Sequence, residues 1–146
     1  MSVRGFDHVS LPTNDVEALI EFYKRLGFTI LYEAEWRAGT GRWIAIQVDE
    51  HVKINVHPPE MWRNARFTLR GPTAEPGCGD LCFLYDGSIA AVEAWLRSVG
   101  APIEFGPVNQ LGGADGGLRM GTSIYTRDPD GNLLEFMTYP SQEVAH

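Results

Sequence analysis

The sequence predicts an α+β fold in which two tandem βαβββ modules form a curved mixed sheet around a concave face. Three observations predict it. Each half of the chain holds one segment of helical period among several segments of strand period. The order of those segments repeats, with His8 to Gly27 spanning 19 positions and Asp80 to Gly100 spanning 20. A stretch rich in proline and glycine, with little periodicity, separates the halves. The reading is of a single domain over 1–146, with module 1 at about 5–58, a linker at about 59–79 and module 2 at about 80–140.

The first module opens with GFDHVSLPT, in which Phe6, His8 and Ser10 alternate with Asp7, Val9 and Leu11, the signature of a strand. NDVEALIEFYKRLGF places Val16, Leu19, Ile20, Tyr23 and Leu26 at helical spacing. Asn14 is the expected N-cap, with Glu17 three residues on in a capping-box pattern, and Gly27 stops the helix. FTILYEAEW is rich in strand formers. RWIAIQVDEHVKINVHPP reads as two strands around a tight turn at Asp49–His51.

In the second module DLCFLYDG is a strand, and SIAAVEAWLRSVG is a helix with Ile89, Ala91, Val92, Leu96 and Val99 available for packing and Gly100 as its stop. APIEFGP is a short strand, GTSIYTRDPDG another, and NLLEFMTYP the last. Between them NQLGGADGGLRMG, residues 109–121, carries five glycines and is expected to be a mobile loop over the site.

Composition narrows the function. With 146 residues, 44% of them hydrophobic, the chain suits one compact unit or two small repeats sharing a core. The net charge is -7, and no basic cluster is present, which argues against nucleic acid or anionic membrane partners and leaves small molecules or proteins. No long apolar run or basic-then-apolar leader is seen, so the expected location is the cytoplasm. Cys78 and Cys82, four apart on an extended segment, read as free thiols.

Alternation sorts each strand into a helix-packed face and an opposite face. Opposite the helices fall His8; Lys53, Asn55 and His57; Trp43, Ala45 and Gln47; Asp80 and Cys82; Ser123, Tyr125 and Arg127; and Glu135 with Leu133 and Met137. His8 thereby corresponds to Asp80, and Asn55 to Glu135. A charged residue in an apolar strand calls for a partner, and His8, Asn55 or His57, Asp80 and Glu135 are expected to share the concavity. Imidazole with carboxylate suits Mn²⁺, Fe²⁺, Co²⁺, Ni²⁺ or Zn²⁺ better than Ca²⁺. Trp43 and Tyr125 are candidate aromatic walls, with Asn55 and Arg127 as polar pocket groups; Arg127 or Arg119 could receive a substrate carboxylate or pair with surface aspartates.

The segments FDHVSL, VEALIEFYKRLGF, KINVHPP, GDLCFL and, most specifically, RDPDGNLLEF resemble the vicinal oxygen chelate superfamily over about residues 5–140. That group includes glyoxalase I, bleomycin-resistance proteins, fosfomycin-resistance enzymes and extradiol dioxygenases. KINVHPP with PGCGDLCFL is most similar to a glyoxalase-like subgroup. The resemblance implies a divalent metal held by first- and last-strand residues of each module: His8 matches the first-strand ligand and Glu135 the last-strand ligand of module 2. It departs where glyoxalase I has a glutamate, here Asn55 with His57 two residues on, and where a histidine often opens module 2, here Asp80. The implied ligand set is His8, His57, Glu135 and Asp80, with Glu135 or His57 moving a proton. The expected activity is that of a metal-dependent lyase or isomerase on a small oxygenated molecule. The alternatives are an Fe²⁺ ring-cleaving dioxygenase using His8, His57 and Glu135, and a metal-free protein that sequesters a drug or other aromatic ligand. A homodimer is implied as well.

Overall fold

A computed structural model describes residues 1–140 of the chain. It divides into two compact units, residues 1–79 with the turn Pro129–Gly131, and the remainder from Asp80. Each unit is built around its own four-stranded mixed sheet, and the two sheets have the same topology.

In the first unit β1 (His8–Pro12) leads to α1 (Val16–Leu26), β2 (Thr29–Leu31), a short helix α2 (Glu33–Arg37), β3 (Ala45–Gln47), β4 (Lys53–His57) and a single turn α3 (Pro59–Trp62). The sheet order is β1-β4-β3-β2, with β1 and β4 parallel and the other pairs antiparallel. Leu19, Ile20, Tyr23 and Leu26 of α1 are buried, as are Leu11, Ile46, Ile54 and Val56 of the strands. Each such aliphatic side chain contributes roughly 1.5–3 kcal/mol on burial.

Two expectations are corrected in this unit, and one is filled in. The N-cap is Asp15, not Asn14: Asp15 is extended, and its carboxylate accepts from the backbone N of Ala18. Asn14 instead donates its backbone N–H to Asp130 Oδ1 (2.9 Å). The strand-rich run 28–36 ends early, at Leu31, because Tyr32 adopts a left-handed backbone (φ 65°) and opens α2. The linker carries the turn α3, capped at its start by the Pro58–Pro59 pair. Gly27 terminates α1 as expected, at φ 100°, a conformation that glycine adopts without penalty.

In the second unit β5 (Asp80–Leu84) leads to α4 (Ile89–Ser98), β6 (Phe105–Leu111), a helical turn α5 (Ala114–Gly117), β7 (Met120–Arg127) and β8 (Leu133–Thr138). The order β5-β8-β7-β6, with β5 and β8 parallel, reproduces the first sheet. Val92 and Leu96 of α4 are buried, along with Phe83, Ile124, Leu134 and Phe136; Trp95 meets Phe136 edge-on at 5.0 Å. Of the other residues expected to pack from this helix, Ile89, Ala91 and Val99 are only half-buried.

The strand expected at 101–107 begins later and runs further, over β6. The glycine-rich insert is consequently shorter than expected: Asn109–Leu111 and Met120–Gly121 are ladder residues. What remains is tied to Tyr139, whose hydroxyl accepts from Ala114 N (3.2 Å) and whose ring lies 5.5 Å from the Arg119 guanidinium. Gly112 has no room for a Cβ because the Tyr139 hydroxyl occupies that place. The segment is a hairpin connection. Arg119 also pairs with Asp115 (2.9 Å), which occupies the charge that a substrate carboxylate would need.

Candidate functional site

The ladder registers place the candidate residues residue by residue. In the first sheet His8 pairs with Lys53, Ser10 with Asn55 and Pro12 with His57. In the second Asp80 pairs with Leu133, Cys82 with Glu135 and Leu84 with Met137. Asn55 and Glu135 therefore occupy equivalent positions, as do His8 and Asp80. Side chains paired across a ladder share a face, so His8, Lys53, Asn55, His57, Ala45 and Gln47 lie on one face of the first sheet and Asp80, Cys82, Leu133, Glu135, Met137, Ser123, Tyr125 and Arg127 on one face of the second, while Trp43 precedes β3 and stands in no ladder.

Glu135 is the center of a polar cluster in the second unit. It is half-buried, and Ser123 donates its hydroxyl to Oε2 at 2.5 Å. Cys82 lies across the parallel ladder from it and Tyr125 across the antiparallel one. Burial of the sulfur, reinforced by the Glu135 carboxylate, pushes the Cys82 thiol up to about 12, although much of the residue's surface is open. Burial and then Glu135 also raise the Tyr125 phenol above its ordinary value. Both neighbors are thus protonated at neutral pH and present hydrogens to a carboxylate. Gln110 Nε2 donates to the Tyr125 hydroxyl (3.1 Å) and fixes it. Tyr125 and Arg127 line one pocket with Glu104, Phe105 and Leu133. Arg127 is bound to Glu104 there (2.6 Å), so its charge is already matched. Asp80 is exposed at the start of β5.

In the first unit His8 is exposed, and its Nδ1 lies 2.6 Å from Asp7 Oδ1. The histidine in turn holds the Asp7 carboxyl below its ordinary value. His57 is half-buried, its ring edge-on to Phe67 at 5.4 Å. Burial, and then the charge of Arg70, lowers its pKa and keeps the imidazole neutral at pH 7. Trp43, Asn55 and His57 line one pocket of ≈ 270 Å³. Its other walls include Tyr32, Arg42, Lys53 and Met61. The alternation had placed Lys53 on this face; Tyr32 and Arg42 come from loops, where no period points to them.

The surroundings of each donor decide whether it suits a divalent transition metal. Histidine ligands commonly give their other ring nitrogen to a carboxylate, and the Asp7–His8 contact leaves His8 Nε2 outward. Glu135 is oriented by Ser123. These two residues fit as individual donors. His57 does not, because the Arg70 guanidinium beside it opposes a cation. Among the described residues no group of three or more His, Cys, Asp and Glu side chains stands where it could hold a metal.

The chain matches a family model described as the Glyoxalase/Bleomycin resistance protein/Dioxygenase superfamily over residues 5–136. It is 34% identical over 139 residues to the glyoxalase domain-containing protein RDO1 of Mycosarcoma maydis, spanning 95% of this chain and 70% of that protein. It is likewise 34% identical over 140 residues to virulence protein STM3117 of Salmonella typhimurium, spanning 95% of this chain and 87% of that one. The crystal structure of the Salmonella protein aligns with a TM-score of 0.79 at 32% identity, covering 96% of this chain and all of the other.

Proposed function

The chain belongs to the glyoxalase/bleomycin resistance protein/dioxygenase superfamily, and from that premise we propose that it is a glyoxalase-like, divalent-metal-dependent lyase or isomerase acting on a small oxygenated molecule. The observation that carries the reading is the seat of Glu135: a half-buried carboxylate held by Ser123 and flanked by a thiol and a phenol that both keep their protons. Such a group can take a proton from a carbon next to a carbonyl and return it. Ser123 bonds Oε2, and the Cys82 thiol and Tyr125 phenol face the same carboxylate. Tyr125, held by Gln110, keeps its hydroxyl toward Glu135 and so positions the carboxylate. Taken singly, Glu135 in the second unit and His8 in the first are donors suited to a metal such as Ni²⁺, Zn²⁺, Mn²⁺, Fe²⁺ or Co²⁺, which when bound would supply stabilization of negative charge on substrate oxygen. A homodimer is part of the same reading.

The test is solvent deuterium entry at the carbon beside the carbonyl of two probes, the hemithioacetal of methylglyoxal with glutathione, and hydroxyacetone, followed by NMR on metal-loaded protein. Exchange with at least one probe, lost in Glu135→Gln, is the expected result. No exchange with either probe, together with oxygen uptake on adding catechol, would replace the lyase by the ring-cleaving dioxygenase.

A further inference from the structure

We infer that the open face of the first unit is a binding site for a small carboxylate-bearing molecule, gripped by Lys53 and Arg42, which both lie against the ring of Tyr32. The Lys53 ammonium lies 5.0 Å and the Arg42 guanidinium 5.2 Å from the centroid of that one ring. Lys53 also donates to the Tyr32 hydroxyl at 3.3 Å. Two like charges on one aromatic ring repel each other, and the ring quadrupole repays this only in part. A carboxylate would settle the difference, yet among the described residues neither cation has an acidic side chain within ion-pair distance. In a chain with nineteen acids against twelve lysines and arginines, that is not a matter of supply. Asp7, on the strand next to Lys53, is engaged by His8.

The arrangement is also built. Tyr32 holds a left-handed backbone, uncommon for a residue with a side chain and found where the surroundings impose it. Lys53 is half-buried in β4, so its ammonium is directed by the strand. Trp43 and Met61 provide an apolar wall, and Asn55 offers an amide. The ≈ 270 Å³ available limits the occupant to a small organic acid whose flat or apolar part lies on the wall while its carboxylate meets the two cations. The assignment concerns binding in the first unit and does not depend on the chemistry given to Glu135.

Benzoate and benzamide share a shape and differ in charge, which makes them suitable probes. Binding to the full chain at pH 7.5 and low salt is read by calorimetry and by the NMR shift of the Trp43 indole N–H. Benzoate should bind at least tenfold tighter than benzamide and shift Trp43. Lys53→Met and Arg42→Met should each lose at least tenfold, while Arg25→Met, which removes an exposed cation elsewhere, should not. Arg42 is exposed, so its variant tests the site even if Lys53→Met folds poorly. Glu135→Gln should bind benzoate as the parent does, which separates this site from the fate of the proposed reaction. Equal binding of the two probes would overturn the inference, and so would an Arg42→Met variant that binds like the parent or an Arg25→Met variant that loses as much.

Discussion

The two units share one topology and one ladder register, and they differ in what those ladders present. Where the first sheet has Asn55 opposite Ser10, the second has Glu135 opposite Cys82. Across the antiparallel ladder Asn55 meets Ala45, whereas Glu135 meets Tyr125. The first face is cationic and aromatic through Lys53, Arg42 and Tyr32; the second gathers a carboxylate with groups that keep their protons. Duplication of a fold thus fixes positions without fixing chemistry, and the two faces differ in what they offer: one gathers cations on an aromatic ring and the other a carboxylate among protonated neighbors.

The largest expected contrast lies at the equivalent pair itself. Glu135→Gln should lower proton exchange at least ~100-fold, the usual scale for a lost acid–base group, while Asn55→Asp should leave it within a few-fold. Comparable losses in both variants would mean that the two faces act as one.

A second contrast concerns the turns before the last strands. Asp128 is buried, and its carboxylate accepts from Asn132 N (3.0 Å) and Asn132 Nδ2 (2.8 Å). Asp49, in the turn before β4, is exposed and accepts from His51 N (2.6 Å) and Val52 N (2.8 Å). Asp128→Ala, which orphans buried donors, should cost about 2–4 kcal/mol in denaturant unfolding. Asp49→Ala should cost about 1 kcal/mol or less, because water replaces the lost partner.

The thiols give a third. In metal-free protein at pH 8, iodoacetamide should label Cys78 well before Cys82, and Cys82 labeling should climb only as pH approaches its raised value of about 12. Equal rates at pH 8 would show that Glu135 and the surrounding burial do not act on the sulfur.

The smallest effect is expected at His57. Its folded pKa lies below the ordinary 6.5, so below that pH the unfolded chain binds a proton that the folded chain refuses. Stability contributed above pH 6.5 is therefore lost as pH falls through the folded value. The melting temperature of His57→Gln should decline less between pH 7 and pH 5 than that of the parent.

Much of this could be read from the chain. Strand alternation has a period of two, so one anchored residue such as Val9 or Leu134 fixes the face of His8 or Glu135, and the register of both sheets agrees. The equivalence of Asn55 and Glu135 followed from the repeat. What could not be read depends on backbone conformations and contacts without a period. Tyr32 ends a strand-like run by turning left-handed, and Arg42 reaches the same ring from a loop. The glycines at 112–117 read only as a loop, whereas Tyr139, distant in sequence, bonds Ala114 N and fills the place of a Gly112 side chain. Asp15 rather than Asn14 caps α1 because the chain turns one residue later, which composition does not distinguish.

The proposal that Glu135 is a metal donor is tested most directly by elemental analysis of protein purified without chelators. Close to one divalent transition metal per chain is expected, retained in Asn55→Gln and lost in Glu135→Gln. No metal in the parent, even after titration with Ni²⁺, Mn²⁺, Fe²⁺ and Zn²⁺, or an unchanged content in Glu135→Gln, would contradict it.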